Sequence, residues 1–160
     1  MTVVVKTEEF NAGMFEEMLP LIRKCWDECT VIKDKTCAFH GDRDFQIEPD
    51  FDVYQKLANE GSMVFVTLRA EGKLVGYVEG FLYRAMHHKK VLCGMGDSLY
   101  IEPEYRAYIL RAIDIFEKEM TRLKAEIIGW PTTREGYLYE VLKARGYIGD
   151  DIVMELKLCA

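Results

Sequence analysis

From residue 97 the sequence reads Asp97-Ser98-Leu99-Tyr100-Ile101-Glu102-Pro103-Glu104-Tyr105-Arg106, followed by Ala107-Tyr108-Ile109-Leu110-Arg111. A carboxylate in an apolar strand, a proline that stops the strand and an arginine where a long helix begins make one strand, turn and helix junction. A helix N-terminus exposes amides that lack intrahelical partners and carries partial positive charge, so it suits a phosphate group, more so with arginine beside it. Cations in a first helical turn oppose the helix dipole unless an anion lies between them. Arg106 and Arg111 can therefore hold an anion, or pair with Glu102 or Glu104 on a solvated surface. Their position favours the anion.

The elements around this junction follow from periodicity. Residues 2–6 are valine-rich and read as a strand, after which Asn11 offers a helix cap to the stripe Met14, Met18, Leu21 or Ile22, Cys25 and Cys29. Pro20 lies inside that stripe and should kink the helix or divide it in two. Residues 31–50 lose all periodicity and read as a long loop, and Asp50 or Asp52 then caps a short helix through Leu57. Residues 63–69 and 74–83 form a hairpin about the turn Ala70-Glu71-Gly72-Lys73, and residues 91–101 follow the polar turn His87-His88-Lys89-Lys90 as a third antiparallel strand. From Arg106 onward Ile109, Ile113, Phe116, Met120 and Leu123 line one helical face. A short strand at 127–130, a helix at 134–145 ended by Gly146 and a last strand at 152–158 complete the order. The expected fold is a single mixed α/β domain over residues 1–160, with a central, mostly antiparallel sheet of about six or seven strands flanked by helices.

The junction and the element order together resemble the GNAT N-acetyltransferase superfamily, in which a strand with an acidic, apolar, Tyr, aliphatic ending leads through a proline-containing turn into a pyrophosphate-binding loop and helix. Ala144-Arg145-Gly146-Tyr147, at the end of the last helix, extends the likeness over most of the chain. The resemblance implies acetyl-CoA as cosubstrate. It assigns backbone groups of Leu99, Tyr100 and Ile101 to the acetyl-CoA arm, and Arg106, Ala107, Tyr108, Ile109, Leu110 and Arg111 to the pyrophosphate. The family loop carries glycine, then glycine or alanine, where this chain has Ile109 and Arg111, and glycine is the residue that lets backbone approach phosphate closely.

Acetyl transfer to an amine requires a neutral nucleophile, although a lysine-type amine has a pKa of about 10.4, and it requires a proton for the departing thiolate. Asp97 and Glu79 are the acidic candidates for taking the amine's proton. Asp97 lies in the strand leading to the loop, whereas Glu79, alternating with Tyr77, Phe81 and Tyr83, reads more readily as a strand-edge carboxylate bound to solvent or arginine. Many family members place a tyrosine four residues before the final glycine. Here that position is Leu142, and Tyr139, one turn earlier, is the candidate substitute. The implied function is acetyl transfer to a primary amine of a small molecule or protein. The alternative is a catalytically inactive binding or inhibitory module that keeps the fold.

Composition limits the remaining possibilities. With 49% hydrophobic and 30% charged residues the chain is an ordinary globular sequence. A net charge of −6 argues against nucleic acid, because such binding depends on Lys and Arg neutralising phosphates, and it suits a cationic acceptor. No basic, then apolar leader and no membrane-length apolar run is seen, which points to the cytoplasm. Cys25, Cys29, Cys37 and His40 could supply four zinc ligands, but Cys25 and Cys29 fall on the apolar stripe and no metal is expected. The 14 residues after Gly146 are too few for the long closing hairpin common in the family. The resemblance therefore implies a groove that is open or is completed by a second copy in a homodimer, with the loop at 31–49 as its opposite wall.

Overall fold

A computed structural model describes residues 2–33, 47–132 and 137–149. The chain divides into two compact units, one of Met1–Ile22 with Pro49–Pro131 and one of Arg23–Glu48 with Thr132–Ala160. The loop expected to wall the groove, Cys37 and His40, and the expected strand at 152–158 fall largely or wholly outside the described residues.

The first unit holds a sheet in the order β1 (Val3–Thr7), β2 (Met63–Ala70), β3 (Lys73–Arg84), β4 (Leu92–Ile101) and β5 (Ile127–Gly129). The first three pairings are antiparallel and β4 with β5 is parallel. Among the described residues the sheet is thus mixed and has five strands, where about six or seven were expected. The β2–β3 turn needs two left-handed residues, and both Glu71 (φ 50°) and Gly72 (φ 87°) supply that conformation.

Helix α1 (Ala12–Lys33) continues through Pro20 as one element, so of the two expected effects of the proline the division into two helices does not occur. Asn11 caps it, its Oδ1 accepting from the Met14 amide at 3.0 Å. Asp50 rather than Asp52 caps α2 (Phe51–Asn59), accepting from the amides of Asp52 and Val53. After β4 the chain enters a 3₁₀ turn, Pro103–Tyr108, and only then α3 (Ile109–Arg122). The α-helix thus starts three residues later than the expected Arg106. The turn is held by i→i+3 bonds, Tyr105 N–H to the Glu102 carbonyl at 2.8 Å and Ile109 N–H to that of Arg106.

Successive residues of a strand face opposite sides, and β3 uses both. Gly80 lies under Phe116 of α3, where an added Cβ would stand 2.6 Å from the ring and 2.2 Å from the Met95 carbonyl oxygen. Glu79 faces the other way, toward Tyr54 of α2. On the α3 side Ile109, Ala112, Ile113, Phe116 and Met120 are buried. On the α2 side Phe10, Phe15, Phe51, Tyr54 and Phe65 form an aromatic cluster, with Phe10 stacked on Phe65 at 5.1 Å. Arg69 of β2 joins Glu8 at 3.0 Å and Glu17 of α1 at 2.7 Å, tying the start of α1 to the sheet.

The second unit contains α4 (Tyr137–Ala144). As expected, Gly146 ends it in the left-handed conformation (φ 90°). Its N–H bonds the Lys143 carbonyl and that of Tyr147 bonds Leu142, which satisfies the last turn's carbonyls.

Candidate active site

Strand β4 departs from regular geometry at Asp97. Ser98 stands opposite Glu79 and Gly96 opposite Gly80, so Asp97 is an extra residue inserted into β4, a β-bulge. Bulges re-aim side chains and bend the strand. On its other side β4 pairs with β5 only from Cys93–Ile127 to Met95–Gly129. Beyond that point, among the described residues, strand pairing of β4 is to β3, and the segment Ser98–Ile101 runs on toward the 3₁₀ turn and α3.

The two carboxylates differ sharply in environment. Glu79 is 1% exposed, which overturns the expected solvent- or arginine-bound carboxylate at a strand edge. It lies beneath the aromatic cluster, opposite Phe65 on one side and Ser98 on the other. Its Oε1 accepts the Tyr54 hydroxyl at 3.1 Å, and its Oε2 has no hydrogen-bond partner among the described residues. Burial pushes its pKa up to about 8, the negative charge of Asp97 adds to the rise, and the Tyr54 hydrogen bond partly offsets both. Asp97 is exposed to solvent, yet enough protein surrounds it to raise its own pKa through desolvation. Burial also raises the Tyr54 hydroxyl, with the charge of Glu79 as the second cause. Next to this pair the buried Tyr77 hydroxyl and Ser98 Oγ share a hydrogen bond of 2.9 Å.

Tyr54, Tyr77 and Ser98 carried no sequence signal of their own. Glu79 and Tyr77 share a strand parity that was legible, but their partners come from α2 and from the far side of the bulge. Chain separation hides the first and an irregular register hides the second.

At the other end of β4, Tyr100 and Ile101 are buried and Leu99 is half-buried, so this segment addresses its surroundings mainly through backbone. Arg106 Nε donates to the Ile101 carbonyl at 3.3 Å, folding the arginine back over the strand end. Ala107, Leu110 and Arg111 are exposed and Tyr108 is half-buried. Ile109 is 5% exposed. Its side chain belongs to the core, which accounts for an apolar residue where the family loop has glycine. No side chain caps the start of α3. The 3₁₀ turn runs straight into α3 and the Ile109 amide bonds the Arg106 carbonyl, so the groups here that suit a phosphate are the two exposed arginines, Arg106 and Arg111.

Tyr139 lies on α4 in the second unit, where Lys143 Nζ donates to its hydroxyl at 3.3 Å and sits 5.3 Å from its ring centroid. Leu142, at the position of the family tyrosine, is buried. A surface hollow of about 590 Å³ lies elsewhere, between Phe10, Asn59, Met63 and Arg122, and includes none of the sequence-derived site residues. Among the described residues no helix is long and apolar enough to cross a membrane, and no three His, Cys, Asp or Glu side chains gather as a metal site.

The mixed sheet, the bulged β4 parting from β5 and the crossover through α3 make a fold that this chain shares with solved acetyltransferases. Solved structures agree over nearly the whole chain. An aminoglycoside acetyltransferase, meta-AAC0020, from an uncultured soil metagenomic sample superposes with a TM-score of 0.71 at 14% identity, covering 99% of this chain and 96% of that one. The aminoglycoside acetyltransferase AAC(6')-Iy, in complex with a CoA-containing bisubstrate analogue, gives 0.69 at 12% identity over 99% and 100%. A ribosomal-protein-alanine N-acetyltransferase from Brucella melitensis biovar Abortus 2308 gives 0.68 at 13% identity over 99% and 100%. No protein-family model and no curated protein matches the sequence.

Proposed function

We propose that this chain is a cytoplasmic member of the GNAT superfamily, acting as a single domain that moves an acetyl group from acetyl-CoA to a primary amine. One observation carries the reading. β4 gains a bulge at Asp97, leaves β5 after Met95 and delivers Ser98–Ile101 to the start of α3. That path matches what a thioester with a pyrophosphate tail requires, backbone groups along the acyl arm and Arg106 and Arg111 at the phosphates.

Acetyl-CoA supplies the activated acetyl group. Asp97, solvent-exposed at the bulge, takes the proton that frees the amine's lone pair; Glu79, whose buried carboxyl keeps its own proton near neutrality, can accept one only at higher pH. The amine nitrogen bonds to the carbonyl carbon and loses its surplus proton, the carbon–sulfur bond breaks, and the departing thiolate gains a proton and leaves as a thiol. The net negative charge favours a cationic acceptor, whether a small molecule or a protein. The test is release of free thiol from acetyl-CoA in the presence of a panel of primary amines. Amine-dependent release that falls at least tenfold in Asp97→Asn supports the proposal; no release with any amine, together with no acetyl-CoA binding, overturns it.

A further inference from the structure

Register partners in a sheet point to the same side, so the face opposite α3 can be followed row by row across β3, β4 and β5. Glycines fix which face is which. Added Cβ atoms on Gly80, Gly94 and Gly96 would meet Phe116, Met120 and Trp130, so those positions look toward α3. The residues that alternate with them look the other way, as Glu79 does. There Phe81, Met95 and Gly129 form one row, and Tyr83, Cys93 and Ile127 form the next. Met95 Sδ and Cε lie 3.6 and 3.7 Å from where a Gly129 Cβ would be, so the methionine leans into the space the glycine leaves. Neither row holds a charged residue.

Tyr83 and Ile127 are 39% and 60% exposed, and Phe81 and Met95 are half-buried. Large apolar side chains at a surface are ordinary when scattered and informative when contiguous. These are contiguous, with the Phe81 and Tyr83 rings 6.3 Å apart. From Glu79 to Tyr83 the strip runs about 14 Å, and across three strands it is about 10 Å wide. Its charge lies at one end. Glu79 begins the strip, and the negative charge of Asp97 acts on both Glu79 and Tyr54. An apolar floor with polar groups converging at one place is the make-up of a small-molecule site.

We infer that this strip is the floor of the acceptor site, and that the acceptor is a primary amine on an apolar body, its single charge at the Asp97 end and its body over Phe81, Met95 and Tyr83. Turnover of such an amine rests on the acetyl-transfer reading above; its binding does not. A polycation of the same length would set its further charges over two rows that hold no carboxylate.

4-Phenylbutylamine and spermidine are similar in length and differ in charge, and titration of each followed by NMR, with CoA present, reads their binding. The wild type should bind 4-phenylbutylamine at least tenfold more tightly than spermidine. The Tyr83→Ser, Ile127→Ser double variant changes two exposed positions and should weaken 4-phenylbutylamine at least fivefold while spermidine stays within twofold. Val4→Ser, at a position 45% exposed on the far edge strand β1, should change neither. Spermidine bound as tightly as 4-phenylbutylamine, or unchanged affinities in the folded double variant, overturns the inference. So does a wild-type dimer that the double variant breaks with its amine affinities unaltered, which gives the strip to a second copy. If 4-phenylbutylamine binds as expected but releases no thiol from acetyl-CoA, the proposed function fails and the strip stands as an amine-binding floor.

Discussion

Tyr54 donates its hydroxyl to Oε1 of Glu79 at 3.1 Å, and the other carboxyl oxygen is buried without a hydrogen-bond partner among the described residues. A carboxylate so placed is costly to ionise, because it leaves water for a low-dielectric site with one donor. The arrangement therefore couples the site's protonation to the stability of the fold.

The first prediction follows from the direction of that shift. The folded-state pKa of Glu79 is raised from 4.5 to about 8, so between those values the native state holds a proton that the unfolded chain has lost. Stability from this group is thus fully present at low pH and declines as pH rises through that window. Glu79→Gln should remove this decline. Thermal unfolding from pH 5 to 9 checks it: the wild type loses Tm relative to the variant as pH rises, and parallel curves would refute the assignment.

Tyr54→Phe removes the one contact that lowers the Glu79 pKa. It should cost about 1 kcal/mol of stability, the usual worth of a hydrogen bond, and should move the rise of any acetyl-transfer pH profile to higher pH. A profile displaced to lower pH would show that Tyr54 does not act through the Glu79 carboxylate.

Ile109 and Arg111 occupy the two loop positions where the resembled family has glycine or alanine, yet the structure treats them oppositely. Ile109 is in the core and Arg111 is exposed. Ile109→Gly should therefore destabilise by about 3 kcal/mol or more, the scale of emptying a buried aliphatic site, with no gain in acetyl-CoA affinity. Arg111→Gly should cost about 1 kcal/mol through helix propensity and should weaken acetyl-CoA binding. Chemical denaturation and titration on both variants separate the effects.

Arg69 reaches Glu8 and Glu17 together, and its side chain is only 19% exposed. Arg69→Ala should lower stability by about 1 to 3 kcal/mol, since it leaves two carboxylates without their shared cation. Denaturant unfolding measures this, and a change under 0.5 kcal/mol, the usual scale for an exposed pair, would contradict a structural role for the cluster.

Much of the fold was legible because period and punctuation agreed. Asn11, Asp50, Gly72 and Gly146 each mark a boundary by a backbone requirement, and the face from Ile109 to Met120 is buried as its spacing implies. The 3₁₀ turn was not legible, since Pro103 signals a start without saying whether i→i+3 or i→i+4 bonds follow. Pro20 did not divide α1, because a proline removes one donor and the rest of the helix carried on through it. At the candidate site Asp97 and Glu79 were visible as residue types, but their environments were not. A one-residue bulge put Asp97 at the surface, and α2, twenty-five positions from Glu79 at Tyr54, closed over Glu79.

The most direct test of the central claim is calorimetric titration of the wild type and an Arg106→Ala, Arg111→Ala double variant with acetyl-CoA. Saturable binding by the wild type and at least a tenfold loss in the double variant are expected, the variant's fold being checked by an unchanged far-ultraviolet spectrum. No binding by the folded wild type, or equal binding by both proteins, would contradict it.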